Sequence, residues 1–179
     1  MNKHWQLLKI EQKYQDHVLG IEHKHFKFLK NGEQSPFCSI KTKNWVVIIP
    51  QTDDGKFILV KQFRFAIEDT TIEFPGGAID FNEEPLKAAK RELQEETGFI
   101  SDNFIELGYL HPNPAILSNK CYIFAALNCK NTQKTNFDKF EDIEIELWDK
   151  DQLESAILKN EITHSIVVAA YTKFLLYNK

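Results

Sequence analysis

The stretch GAIDFNEEPLKAAKRELQEETGF, running from Gly77 to Phe99, decides how this chain is read. Its pattern is G-x5-E-x7-R-E-L-x-E-E-x-G-F, with three carboxylates, Glu92, Glu95 and Glu96, inside five residues. At helical spacing Glu92 lies i,i+3 from Glu95 and i,i+4 from Glu96, so all three share one face. Like charges at those spacings destabilise a helix. A hard divalent cation with oxygen ligands would turn that repulsion into binding energy. At about 100° per residue, the acidic cluster lies to one side of a stripe made by Leu86, Ala89 and Leu93. The helix is therefore expected to bury one face and hold metal along its shoulder. Asn82 is the expected N-cap, Pro85 fits the first turn, and Gly98 suits a left-handed position past the helix end. Just upstream, Phe74-Pro75-Gly76-Gly77 reads as a tight turn whose glycines let backbone approach a ligand or ion closely.

Working outward, residues 5–10 and 17–29 are expected as strands, and Asn31-Gly32 and Ser35-Pro36 mark loops. Trp45-Val46-Val47-Ile48-Ile49 is the continuous apolar run of a strand buried on both faces. Thr52-Asp53-Asp54-Gly55 predicts a hairpin into Phe57-Ile58-Leu59-Val60, and a short strand over 71–74 runs into the glycine turn. Further strands are predicted at about 104–110, 120–127 and 143–148, and helices at about 150–159 and 162–177. Strands around one acidic helix, with helices covering the other side, predict an α/β/α sandwich with a mixed sheet.

Within 179 residues, 42% apolar content and 14 phenylalanines can fill the core of one medium domain. No run approaches the roughly 18 apolar residues of a membrane span, and the N-terminal residues lack the apolar stretch of a signal peptide. The three cysteines, Cys38, Cys121 and Cys129, form no CxxC and leave one unpaired, which favours a reducing cytoplasm. A net charge of −4 argues against non-specific nucleic-acid binding, but it is unevenly spread. Residues 1–43 hold eight lysines against four acids, leaving −8 for residues 44–179. Neither a P-loop, a dinucleotide fingerprint nor a Ser-His-Asp order is present.

Residues 77–99 match the Nudix box at every defining position, so the chain resembles the Nudix hydrolase family. That resemblance implies a Nudix-type α/β/α sandwich over 44–179, preceded by an N-terminal β-strand extension over 1–43 that commonly helps build a homodimer. It also implies Mg²⁺ or Mn²⁺ held by Glu92, Glu95 and Glu96, with the Gly76 carbonyl as an additional oxygen. Glu96 is expected to be essential for catalysis as well. Arg91, one residue off the metal face, is expected to pair with Glu95 or Glu83 and orient the ligands; Glu83, near the helix start, favours the dipole or contacts metal indirectly.

Flanking segments fit the family's ADP-ribose and nucleotide-sugar branch. Lys61-Gln62-Phe63-Arg64 followed by Glu73-Phe74-Pro75-Gly76-Gly77 resembles the segment preceding the box there. By that likeness Arg64 contacts the diphosphate or terminal ribose, and Glu73 lies near the metal or nucleoside. Pro114 falls where the branch carries a proline, although Asn113-Pro114-Ala115 departs from the commoner Ser-Pro-Gly. The branch draws its catalytic base from an acidic loop near 140–146; Glu141 is the first choice and Glu144 the second. The implied function is pyrophosphate hydrolysis of a nucleoside diphosphate derivative, ADP-ribose to AMP and ribose 5-phosphate. A nucleotide-sugar pyrophosphatase acting on GDP-mannose or UDP- or ADP-glucose is the alternative. A (d)NTP cleanup hydrolase and a non-catalytic nucleotide sensor stand further off.

Overall fold

The computed structural model describes residues 3–132, 134–137, 139 and 142–178. Its contacts divide the chain into two units, Met1–Lys43 with His111–Lys120, and Asn44–Leu110 with Cys121–Lys179.

The first unit is an antiparallel sheet of β1 (Trp5–Gln15), β2 (Leu19–Phe28) and β3 (Gln34–Thr42), in that order. Trp5 packs against Phe28 and Phe37, with ring centroids 4.6 and 5.8 Å apart. The third strand corrects the loop expected at Ser35-Pro36. Pro36 is accommodated because β3 is the edge of this sheet, where a missing N–H costs least. Residues 111–120 belong to this unit: the Ile40 N–H donates to the Ile116 carbonyl at 2.7 Å, and Asn119 Nδ2 to the Lys43 carbonyl at 3.1 Å.

The second unit is the sandwich. Its strands are β4 (Trp45–Thr52), β5 (Phe57–Arg64), β6 (Asp69–Glu73), β7 (Phe99–Ile100), β8 (Asn103–Leu110), β9 (Cys121–Asn131) and β10 (Ile143–Trp148). The central order is β10-β5-β4-β9-β7, with β6 on β5 and β8 on β9. The β4/β9 pair is parallel and its neighbours are antiparallel, so the sheet is mixed.

Alternation along these strands builds two cores. Val46, Ile48, Ile58, Phe124 and Ala126 face α1 (Pro85–Thr97) through Ala88, Ala89 and Leu93. Val47, Ile49, Phe57, Leu59, Ile123 and Ala125 face Leu153 and Ala156 of α2 (Lys150–Leu158) and Val167, Ala170 and Phe174 of α3 (Ser165–Tyr177). That three-layer arrangement explains why the β4 run is apolar at consecutive positions. Among the described residues no helix is long and apolar enough to cross a membrane.

One irregularity positions the site. β4 and β5 pair only at Gln51 and Phe57, and β6 then occupies the same side of β5. The chain leaving β6 returns to β4: the Ile48 N–H donates to the Pro75 carbonyl and the Val46 N–H to the Gly77 carbonyl, each at 2.9 Å. The glycine pair is thus stitched to a buried central strand immediately before α1.

Three helix details differ from the sequence reading. The N-cap is Glu84, because Asn82 turns left-handed at φ 61° and Glu83 is bent back to accept the Asp80 N–H. Leu86 is exposed, and Ala88 with Ala89 and Leu93 supplies the buried stripe. α3 starts at Ser165, not 162, because the Glu161 and Ile162 N–H groups turn back to the Ala156 carbonyl. Gly98 closes α1 at φ 70°, its N–H donating to the Gln94 carbonyl.

Candidate active site

The anchored face of α1 dictates where its carboxylates go. Glu96 lies on the buried side at 4% exposure, where its Oε2 accepts the Gly76 N–H at 2.9 Å. Glu92 and Glu95 are drawn together by Arg91, whose Nη1 donates to Glu92 Oε1 at 2.8 Å and Glu95 Oε2 at 3.0 Å. The same guanidinium gives Nε and Nη2 to the two oxygens of Glu83, both at 3.0 Å, and Nη2 also reaches the Ala78 carbonyl at 3.1 Å. Hydrogen bonding to Glu83 outweighs burial and raises the Arg91 pKa further above its ordinary value.

Close approach to main-chain atoms requires glycine at 76, and a side chain at 77 would displace the Glu92 carboxylate. A Cβ on Gly77 would stand 2.5 Å from Glu92 Oε1, and one on Gly76 would stand 2.2 Å from the Val46 carbonyl oxygen. With Glu92 and Glu95 turned to Arg91 and Glu96 to a backbone N–H, no group of three or more His, Cys, Asp or Glu side chains among the described residues is arranged to hold a metal ion. The donor set fits one in kind: hard carboxylate oxygens, beside bare glycine backbone where a side chain would intrude.

A cavity of about 580 Å³ opens on the other side of the glycine segment, with Gly76, Gly77 and Ala78 in its wall. Trp45, Phe74, Ile67 and Ile166 supply apolar surface, and Arg64, Thr71, Glu73 and His164 the polar groups. Glu73 is 3% exposed and takes a bidentate pair from Arg64, Nε to Oε1 at 2.7 Å and Nη2 to Oε2 at 2.6 Å, plus the Thr71 hydroxyl. Burial pushes the Glu73 carboxyl up, but the bonds from Arg64 and Thr71 outweigh it and hold the pKa below its ordinary value.

A depressed carboxylate stabilises the fold above its ordinary pKa of 4.5, and that contribution is lost as pH falls through the lower folded value. Arg64→Ala is therefore expected to cost about 1–3 kcal/mol near neutral pH, because it strips a buried carboxylate of its main partner. The gap from wild type should close below pH 4.5; thermal melts across pH 3–8 check this.

The structure groups the sequence candidates unevenly. It brings Gly76 to Glu96, gathers Glu83, Glu92 and Glu95 on Arg91, and pairs Arg64 with Glu73. Glu144 is exposed on β10, 3.3 Å from Lys61 Nζ. Glu141 lies outside the described residues. Pro114 belongs to the first unit, in the turn where the Asn113 carbonyl accepts the Ile116 and Leu117 N–H groups. His164, outside every motif singled out in the sequence, lines the cavity with Nε2 4.0 Å from Glu73 Oε2. Its partner is remote in sequence, and no local motif flags the pair. The buried thiols Cys121 and Cys129 are pushed up by burial to about 12 and about 11, which makes them inert.

A mixed-sheet sandwich carrying one carboxylate-rich helix beside a paired-glycine segment is the class that fold and site define. Residues 41–171 match the NUDIX domain, and the chain belongs to that family, whose hydrolases generally need a divalent metal ion. It is 33% identical over 118 residues to the ADP-ribose pyrophosphatase of Bacillus subtilis (strain 168), covering 65% of this chain and 64% of the relative. The match thus spans just under two thirds of that protein. The methanol dehydrogenase activator of Bacillus methanolicus is 27% identical over 139 residues, 76% of this chain and 75% of the relative. The crystal structure of an ADP compounds hydrolase shares the fold at a TM-score of 0.86 and 23% identity, over 98% of this chain and 94% of that one.

Proposed function

We propose that this chain is a divalent-metal-dependent pyrophosphohydrolase of nucleoside diphosphate derivatives, with ADP-ribose the first substrate and AMP and ribose 5-phosphate the products. The observation that carries this reading is the carboxylate cluster of α1, joined through the Gly76 N–H to the wall of a nucleoside-sized cavity. The name of the Bacillus subtilis relative supports it. Glu92, Glu95 and Glu96 would hold Mg²⁺ or Mn²⁺, with the Gly76 carbonyl as a further oxygen. When bound, the ion supplies charge neutralisation at the phosphate oxygens and a more acidic water. Arg91 and Glu83 keep the carboxylates gathered on one side of the helix. Glu144 and Glu141 remain the proposed bases.

A hydrolysis screen with Mg²⁺ and mass-spectrometric product identification tests the reading. It compares ADP-ribose, ADP-glucose, UDP-glucose, GDP-mannose, NADH and (d)NTPs. AMP from ADP-ribose at a kcat/KM about 10-fold above the others, about 1.4 kcal/mol of discrimination, supports it. Better turnover of a nucleotide sugar moves the assignment there, as the Asn113-Pro114-Ala115 departure allows. Binding without turnover indicates a sensor.

We further propose a cytoplasmic homodimer built through residues 1–43, acting on neither nucleic acid nor membrane. Three free thiols suit a reducing compartment. The first unit's sheet leaves Trp5, Leu7, Ile10 and Phe37 about half exposed, an apolar face that pairing with a second copy would cover. Light scattering at micromolar concentration should give twice the 20.9 kDa chain mass, and a monomer overturns the dimer.

A further inference from the structure

We propose that His164 and Glu73 form a two-point seat for one sugar hydroxyl of the substrate, and that His164 is thereby a specificity-determining residue. The inference rests on the pyrophosphohydrolase reading and extends it to a side chain outside the box.

Charge decides which part of the substrate enters this cavity. Arg64 supplies the guanidinium of its wall, and both Nε and Nη2 are given to Glu73 at 2.7 and 2.6 Å. The pair is formally neutral, so it offers a phosphate little attraction. The remaining surface, Trp45, Ile67, Phe74 and Ile166 with Thr71 and His164, suits an uncharged, partly apolar group of sugar or nucleoside size.

Geometry then decides which chemical group meets His164. Its Nε2 stands 4.0 Å from Glu73 Oε2, too far for a direct hydrogen bond. An oxygen about 2.8 Å from each atom would see them at roughly 90°, an ordinary angle for a hydroxyl. Glu73 is held as a carboxylate, which only accepts, so its partner must donate. The facing carboxylate favours the ring proton on Nε2, and Nδ1 is buried with no hydrogen-bond partner among the described residues. Nε2–H needs an acceptor. A hydroxyl donates to one atom and accepts from the other; an exocyclic amine only donates, and a carbonyl only accepts. His164 is the N-cap residue of α3 through its backbone alone, its carbonyl accepting the Val167 and Val168 N–H groups at 3.0 and 3.3 Å, which fixes the main chain from which the ring projects.

The two riboses of ADP-ribose are the two sources of such a hydroxyl. The test measures kcat/KM of wild type, His164→Ala, His164→Asn and His164→Gln on the best substrate of the screen. Each is also run on two analogues, one lacking the 2′-hydroxyl of the nucleoside ribose and one lacking a hydroxyl of the terminal sugar. In wild type, one of the two deletions should lower kcat/KM about 10-fold or more. In the Ala variant that same deletion should cost less than about 3-fold, because the seat is already broken. Asn is a favourable N-cap residue, so α3 is preserved, but it is too short to reach and should behave like Ala. Gln places an amide N–H near the position of Nε2 and should restore most of the discrimination. A purely structural role would lower all substrates alike and would not be rescued by Gln.

Should His164→Ala fail to fold, the Asn and Gln variants decide. Full wild-type discrimination in the Ala or Asn variant overturns the seat, as does indifference of wild type to both deletions. Absence of hydrolysis by wild type on every compound overturns the enzyme reading itself and the seat with it.

Discussion

Glu96→Gln should lower turnover about 1,000-fold while leaving the protein folded, with stability within about 1 kcal/mol of wild type. The two halves of that expectation come from different atoms of one side chain. Glu96 is 4% exposed and accepts the Gly76 N–H at 2.9 Å. An amide of the same shape keeps a carbonyl oxygen there, so the link from α1 to the glycine segment survives. Desolvation alone would favour the neutral amide, since a carboxylate at that depth needs a partner. What the substitution removes is one negative charge from the proposed cation site, where several kcal/mol of transition-state stabilisation originate. A merely structural Glu96 predicts the opposite pattern, a lowered melting temperature with residual activity. Turnover measured over a Mg²⁺ titration, alongside thermal melting, separates the two. Near-normal activity at saturating Mg²⁺ would remove Glu96 from the site.

How much of this was legible in the sequence depends on how local each signal is. The α1 pattern could be read because carboxylate spacing, Pro85 and Gly98 act within one helix. β4 could be read because burial on both faces forces consecutive apolar residues, Val46 to Ile49. The third strand of the first unit was hidden behind Ser35-Pro36, since proline signals a break unless the strand is an edge, and edge position is a property of the sheet. Spacing alone puts Glu96 on an exposed shoulder with Glu92 and Glu95; the helix is rotated so that Glu96 faces inward, which only the packing of Ala88, Ala89 and Leu93 determines. Arg64 and Glu73 were legible as charged residues beside the box, but not as partners of each other. The β5/β6 register sets Arg64 opposite Asp69 and Val60 opposite Glu73, so the two are not cross-strand neighbours and meet only because the long Arg64 side chain reaches along the sheet to Glu73. Nothing local assigned chemistry to His164, because its significance lies in Glu73, a residue of β6 remote from the α3 N-cap that His164 occupies.

Gly76→Ala should be the more damaging change to the fold, costing about 2–4 kcal/mol and lowering the melting temperature by about 5–15 °C. The cause is steric contact, and backbone torsion plays no part, since Gly76 is not among the residues with positive φ. A methyl at this position would stand 2.2 Å from the Val46 carbonyl oxygen, 2.9 Å from Val47 Cα and 3.1 Å from the Val46 carbonyl carbon. All three are main-chain atoms of a buried strand, so no side-chain rotation relieves them. Either β4 or the 75–77 segment must move, which strains the bonds from Ile48 N–H to the Pro75 carbonyl and from Val46 N–H to the Gly77 carbonyl. Moving the segment also carries the Gly76 N–H away from Glu96, and a displacement near 1 Å at a reacting centre costs about 100-fold in rate. Stability and turnover should therefore fall together, unlike in Glu96→Gln. Gly32→Ala is the matched control. Gly32 sits at φ 80°, and a methyl there would meet nothing within 4 Å, so only left-handed strain of about 1–2 kcal/mol opposes the change. That variant should melt slightly lower at unchanged turnover. Wild-type stability and rate in Gly76→Ala would mean that the glycine segment does not lie against β4, and the path from the central strand to the carboxylate cluster would have to be redrawn.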